Sequence, residues 1–331
     1  MEFTSSGQLT VRITPDDVGK RVSVRRTDEA GLPGAKFTDT VGVLTSWKDG
    51  VLSITRRSGE SVHIDASTLV AGKVVPAAPA RRRGPAATFD ELSRVTARAW
   101  QPVESERLGA WQLRAAGGFT RRANSVLPLG DPGMPLDAAL ERVREWYAER
   151  GLPAYVQTAT GAKGTQELLA AELERRGWAL EVTAEVWTGA LAPVGDLDAD
   201  VSLVRLDRSC DAGWLARYQR FTERGPHVLK VLGSGPSVWF ASVPGAGNAP
   251  AAIGRCVVDG RWAGFMAVEV APEYRRQGLA TAVMAALARR ALDEGASAAW
   301  LQVEADNGSA RALYRPLGFA AHHSYHHFRS A

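Results

Sequence analysis

The order helix, glycine, strand, helix, glycine, strand occurs twice in this chain, and that repetition constrains the fold more than any other feature. In the first copy, residues 136–150 form an amphipathic pattern, apolar at Leu136, Leu140, Val143 and Tyr147 and closed by Gly151. A strand at 153–157, a helix at 166–176 closed by Gly177, and a strand at 178–188 follow. In the second copy, the helix 281–294 ends at Gly295, 299–302 is a strand, the helix 309–317 ends at Gly318, and strand resumes at Phe319. Tyr155-Val156-Gln157 lines up with Trp300-Leu301-Gln302, and Gly177-Trp178 with Gly318-Phe319. This order is common in any α/β fold. The shared Gln and the paired glycine-aromatic favour a true repeat, with one half at 88–195 and the other at 196–331.

The chain ahead of the repeat has a different character. Residues 20–26 alternate apolar and polar, 41–47 and 61–64 read as strands, and Asp49-Gly50 precedes a strand at 51–55. Several short strands within residues 1–75 predict a small all-β barrel of SH3-like size. Residues 76–87 carry three prolines, Arg81-Arg82-Arg83 and no acid, which predicts an extended linker. The arginine triplet is either a solvated part of that linker or a contact for nucleic acid. Beyond it, 90–100 reads as a helix through Leu92, Val95 and Ala99, and 111–127 as a hairpin turning at Gly117-Gly118.

Composition narrows the class. With 331 residues, 45% hydrophobic, the chain has enough apolar material for real cores, which excludes a disordered chain. No run of about 18 apolar residues occurs, so no transmembrane helix and no membrane partner are expected. Cys210 and Cys256 fit neither a disulfide framework nor a zinc site. With no basic and apolar leader at Met1, these features predict a cytoplasmic protein. A formal charge of +4, dispersed along the chain, does not by itself argue for nucleic acid.

The stretch that carries chemistry runs from Val268 to Thr281. A strand ends at Val270, a turn follows, and a helix begins near Gly278. A loop feeding a helix N-terminus presents backbone N–H groups and the positive end of the dipole to an anion. Gly278 lacks a Cβ, Ala280 is nearly as small, and Arg275 and Arg276 add charge at the same end. Such a site suits a pyrophosphate. Neither G-x-x-x-x-G-K-[ST] nor G-x-G-x-x-G is present, so a P-loop NTPase and a dinucleotide dehydrogenase are not supported.

Arg275-x-x-Gly278-x-Ala280 after a strand resembles motif A of the GCN5-related N-acetyltransferase (GNAT) superfamily, [Q/R]-x-x-G-x-[G/A]. Downstream, 307–319 is similar to that family's motif B, N-x-x-A-x-x-[LF]-Y-x-x-x-G-F. The resemblance covers 200–331 well and 88–190 weakly. The whole arrangement is similar to actinobacterial acetyltransferases with a small N-terminal barrel and a degenerate first half. It implies an α/β GNAT fold, acetyl-CoA as cosubstrate with no metal, and an amine acceptor, on a small molecule or a protein. It also implies that the backbone of Val268 and Val270 holds the pantetheine arm and polarises the thioester. Arg275, Arg276, Gln277, Gly278, Leu279, Ala280 and Thr281 would hold the pyrophosphate, mostly by main-chain N–H, and Tyr314 would lie near the sulfur to protonate the leaving thiolate. A base is needed because an amine of pKa about 10.4 costs roughly 4–5 kcal/mol to deprotonate at pH 7. Glu269 is the first candidate and Glu304 the second, against a reading of both as ordinary strand carboxylates. Asn307 either binds CoA or caps the helix after it.

Two departures from the family pattern stand out. Arg276 occupies a position where Gly is frequent, and Pro316 falls inside the expected motif-B helix, where it would bend it. His322, His323, His326 and His327 lie around what reads as a polar sheet edge, without the Cys or spaced acid of a metal site. Trp111, Trp146, Trp178, Trp187, Trp214 and Trp262 are expected in the core, and Trp239 in an acceptor pocket. The alternative to an enzyme is an acetyl-CoA-sensing module, with the barrel and basic linker, including Arg25, Arg26, Arg56 and Arg57, recruiting a protein or nucleic acid. No motif speaks to oligomeric state.

Overall fold

Asp49 and Gly50 take φ angles of 50° and 76°, the left-handed pair that a two-residue hairpin requires, and they join the second and third strands of the N-terminal sheet. In the computed structural model, which describes residues 10–27, 37–76, 84–218 and 225–331, this sheet has five antiparallel strands. They are β1 (Arg21–Thr27), β2 (Phe37–Lys48), β3 (Val51–Thr55), β4 (Ser61–Asp65) and β5 (Leu69–Val74), in the order β4-β3-β2-β1-β5. Val22, Val24, Leu44, Leu52, Ile54 and Ile64 fill the interior from the strands, joined by Ile13 from the segment before β1. Most of the expected linker, residues 77–83 with the arginine triplet, lies outside the described residues.

The β3–β4 hairpin docks on the rest of the chain. Arg57 donates to the carbonyls of Ala321 and His322, and Thr160 Oγ1 donates to the carbonyl of Arg57. Arg25 pairs with Asp39 at 2.6 Å and Arg56 with Glu60 at 3.0 Å. Arg25, Arg56 and Arg57, read as possible contacts for a recruited nucleic acid or protein, are therefore engaged within the protein.

The first half begins with α1 (Phe89–Arg98), capped by the Thr88 hydroxyl, which accepts from the Glu91 N–H. Then come β6 (Glu104–Leu108), β7 (Trp111–Ala115), β8 (Leu127–Pro128), α2 (Leu136–Ala148), β9 (Tyr155–Thr160), α3 (Glu167–Arg175) and β10 (Ala179–Ala190). The tight hairpin of this region joins β6 to β7 at Gly109. Gly117-Gly118, expected at the turn, sits in the longer connection from β7 to β8. The second half contains α4 (Ala192–Gly195), β11 (Arg205–Asp207), α5 (Ala212–Arg217), α6 (Pro226–Leu232), β12 (Ser237–Val243), β13 (Ala252–Asp259), β14 (Trp262–Val270), α7 (Leu279–Asp293), β15 (Ala298–Glu304), α8 (Gly308–Tyr314) and β16 (Ala320–Arg329).

The two halves share one sheet, ordered β11-β12-β13-β14-β15-β10-β16-β9, in which each half's last strand crosses to the other. β10 pairs with β15, and β16 pairs with β9. The register carries the signature of the repeat. Superposing Tyr155 on Trp300 and Trp178 on Phe319 carries the pair Gln157↔His327 onto Gln302↔Val186, and both pairs are present. Between β10 and β16, Val182↔His327 exchanges with Val186↔His323 about the central pair Ala184↔Tyr325. Each strand also carries one bulged residue at the matching place, Glu181 and His322. β16 is therefore an interior strand. The reading of Ser324-Tyr325 as a polar edge is corrected, since His323, Ser324, Tyr325, His326 and His327 are all buried.

His326 is held by the hydroxyls of Thr160 at 2.9 Å and Thr183 at 3.0 Å, and burial holds its pKa down at about 4. Among the described residues no group of three or more His, Cys, Asp or Glu could hold a metal ion. No helix among them is long and apolar enough to cross a membrane. α7 packs Val283, Met284, Leu287 and Ala288 against β12–β14, each large apolar side chain contributing about 1.5–3 kcal/mol. The approach is closest at Gly254, where a Cβ would lie 2.5 Å from Val283 Cγ1.

Candidate active site

The parallel ladder of β14 with β15 runs from Trp262↔Ala298 to Phe265↔Leu301 and stops there. Beyond Phe265, β14 stays with β13 through a bulge in which Ala267 adopts φ 51°. A left-handed non-glycine residue inside a strand costs about 1–2 kcal/mol. The result is a splay: Met266–Val270 leave β15 and open a wedge between the two strands. At the mouth of the wedge, Gly278 takes φ 79° as the N-cap of α7. No side chain caps that helix, no acid lies in its first turn, and its first intrahelical bond is Ala282 N–H to the Gly278 carbonyl. The amides ahead of it face the space with the positive end of the helix dipole.

That space is a cleft of about 940 Å³. Val268, Glu269, Val270, Arg275, Arg276, Gly278, Leu279, Ala280, Thr281, Asn307 and Tyr314 line it, so most of the residues singled out in the sequence converge. Gln277 and Glu304 are not among its lining residues. The Gln277 amide turns back to the Glu273 carbonyl at 3.4 Å, and Glu304 sits on β15 opposite Ala184. Arg217, which carried no motif, and Tyr274 also line the cleft. Arg217 donates from Nε to the Pro250 carbonyl, and Tyr274 Oη accepts from the Ala246 N–H.

Both departures have structural outcomes. Arg276 has φ 63°, which explains why glycine suits that position; an arginine there costs on the order of 1 kcal/mol. Pro316 does not bend a helix, contrary to expectation: α8 ends at Tyr314 and Pro316 lies beyond it, leaving Tyr314 buried on the last turn. Asn307 caps α8, its Oδ1 accepting from the Ala310 N–H at 3.0 Å.

A second cavity of about 80 Å³ adjoins the cleft behind the splay. Val268, Glu269, Asn307, Ala310 and Tyr314 line both spaces, so Glu269 and Tyr314 stand where the two meet. The far wall includes Trp100, Arg122, Tyr218, Phe265 and Gln302. Trp239, expected in such a pocket, is instead stacked 3.7 Å from Arg208 and bonded to Glu294, away from both cavities.

The corresponding place in the first half is closed. The parallel bridge Val126↔Val156 matches Phe265↔Leu301, so a wedge would open between β8 and β9. Gln166, the N-cap of α3 as Asn307 is of α8, fills it: its amide donates to the Pro128 carbonyl and accepts from the Ala159 N–H. The helix after β8, α2, has Pro135, which has no N–H, at its N-cap and carries Asp137 in its first turn. These features oppose an anion, whereas the second half has none of them.

A structurally similar protein, a GCN5-related N-acetyltransferase from Kribbella flavida, covers 74% of this chain and 96% of its own, at TM-score 0.52 and 15% identity. A tandem GNAT protein from the clavulanic acid biosynthesis pathway covers 75% and 90%, at TM-score 0.51 and 15% identity. The fold is thus the GNAT fold in tandem form. By sequence, the probable histone acetyltransferase Rv0428c of Mycobacterium tuberculosis is 30% identical over 92% of this chain and 93% of its own length. The uncharacterized N-acetyltransferase YobR of Bacillus subtilis is 26% identical over 72% and 97%. The family model described as probable histone acetyltransferase Rv0428c C-terminal matches residues 87–328, and the chain belongs to that family of N-acetyltransferases. The reading as a sensing and recruiting module is not supported.

Proposed function

We propose that the chain transfers an acetyl group from acetyl-CoA to an amine, using the second half's cleft and pocket as one continuous site. The observation that carries this is the meeting of the two cavities at Glu269 and Tyr314, below an uncapped helix N-terminus. Acetyl-CoA, when bound, supplies an activated acetyl group and a thiol leaving group. The amides at the start of α7, with Arg275 and Arg276, bind the diphosphate. The open backbone edge at Val268 and Val270 orients the pantetheine arm and the thioester. The Glu269 carboxylate takes the proton that the acceptor amine must lose before it reacts. Tyr314 Oη gives a proton to the departing sulfur, a transfer uphill by only about 2 kcal/mol. The Gln277 side chain and Glu304 have no part in this assignment. The barrel and the first half act as scaffold and pocket wall.

Thiol release from acetyl-CoA with a panel of amines tests the proposal. Turnover with an acceptor, reduced about tenfold or more in Tyr314→Phe with CoA affinity kept, is the expected result. CoA binding without turnover on any amine contradicts it. A second expectation concerns Asn307→Gln, which recreates the residue that closes the first half. Calorimetry is expected to give about tenfold weaker CoA binding, equal to roughly 1.4 kcal/mol. Unchanged affinity would show that side-chain length at this cap does not keep the wedge open.

A further inference from the structure

Trp100, in the wall of the smaller cavity, lies close to two guanidinium groups. Arg255 lies 5.0 Å and Arg122 5.7 Å from its ring. Arg255 is fully buried and is satisfied by the carbonyls of Ala99, Leu232 and Ser234, with no carboxylate partner among the described residues. Arg122 lines the cavity itself. Its Nε donates to Tyr325 Oη at 2.9 Å, and this bond with the contacts to the Trp100 and Tyr325 rings orients the guanidinium. Its neighbour Arg121 is neutralised by Glu181 at 2.7 Å, whereas no described carboxylate forms an ion pair with Arg122. Among the described residues that line this cavity, Glu269 is the one acid.

We propose that the acceptor is a small zwitterion, an amine that also carries a carboxylate, with its amine at Glu269 and its carboxylate on the Arg122 fork. This inference rests on the reading of the cleft as the acetyl-CoA site. A guanidinium oriented in this way presents paired N–H donors that match a carboxylate. The second, buried guanidinium adds positive potential without competing for the ligand. Among the described residues, a cationic peptide tail would meet Arg122 in the cavity with Arg255 behind its wall, whereas an amino acid places its carboxylate on Arg122 and its amine at Glu269. Arg122 and Trp100 belong to the half whose own wedge is closed, so that half contributes selectivity to the other half's site.

The test uses the full chain and ω-amino carboxylates of two to six carbons, each against the alkylamine of equal length, with rates expressed per unprotonated amine so that the difference in basicity, largest at two carbons, is removed. Thiol release gives kcat/KM, and calorimetry on CoA-saturated protein gives affinity. At one or more chain lengths, kcat/KM or affinity is expected to be at least about tenfold higher for the amino carboxylate. Arg122→Gln is expected to abolish that preference, Arg122→Lys to keep part of it, and Arg122→Glu to reverse it. CoA affinity, which should be unchanged in all three, reports that each variant is folded. Equal or lower values for the carboxylates across the series, or a preference for a lysine-rich peptide, overturn the inference. So does a loss in Arg122→Gln that is equal for both members of each pair. Failure of the wild-type chain to bind CoA would instead overturn the underlying assignment of the cleft.

Discussion

Gly278→Glu is expected to lower CoA affinity by roughly 100-fold or more. The backbone there sits at φ 79°, so any side chain adds strain on the order of 1 kcal/mol. Space is not the obstacle, because a Cβ at Gly278 meets no atom within 4 Å. The new carboxylate would stand over the first-turn amides of α7, take their hydrogen bonds, and face the diphosphate. Two unit charges of like sign about 4–5 Å apart, at an effective dielectric constant near 20, repel by about 3–4 kcal/mol. That is a factor of several hundred. Gly278→Ala separates the contributions: it keeps the strain without the charge and is expected to weaken binding far less. Calorimetric titration with CoA measures both. Equal affinity for the wild-type and Glu proteins would mean that the diphosphate lies elsewhere.

Glu269→Gln is expected to slow acetyl transfer by about 100- to 10,000-fold, the range for losing a general base. CoA affinity should stay within about twofold, because the amide keeps the volume and touches the donor only at the thioester end. The rate deficit should shrink as the pH approaches the acceptor's own pKa, near 10, where the amine is already neutral. A deficit that stays constant with pH would assign Glu269 a structural role. Glu304→Gln is the control: Glu304 lines neither cavity, so its loss is expected to leave the rate nearly unchanged. A collapse of activity in that variant would move the base to β15.

Local signals in the sequence were strong where the structure is local. Helices α2, α3 and α7 are legible because apolar residues recur every three to four positions and a glycine with positive φ follows each. Asp49-Gly50 places a hairpin because few other pairs accept its backbone. The turn from Val270 to Gly278 is legible as an anion site because its composition fixes the backbone more than the side chains. For the same reason the sequence does not show that the Gln277 side chain turns back to Glu273 or that Glu304 lines neither cavity: a motif sets where a Cα lies, not which way the side chain turns. The exchange of β10 and β16 is illegible because either strand satisfies its hydrogen bonds beside either neighbour, and the choice is made by contacts far apart in the chain. Trp100 and Arg122 were missed on the same ground. They meet Glu269 and Gln302 only across the joint between the halves.

A structure determined with CoA bound is the most direct test of the whole account. The account predicts the diphosphate within hydrogen-bond distance of the backbone amides between Arg276 and Thr281. It also predicts the pantetheine arm between β14 and β15, with the sulfur beside Tyr314 Oη. A coenzyme found on any other surface, or one whose sulfur lies outside the wedge, would contradict it.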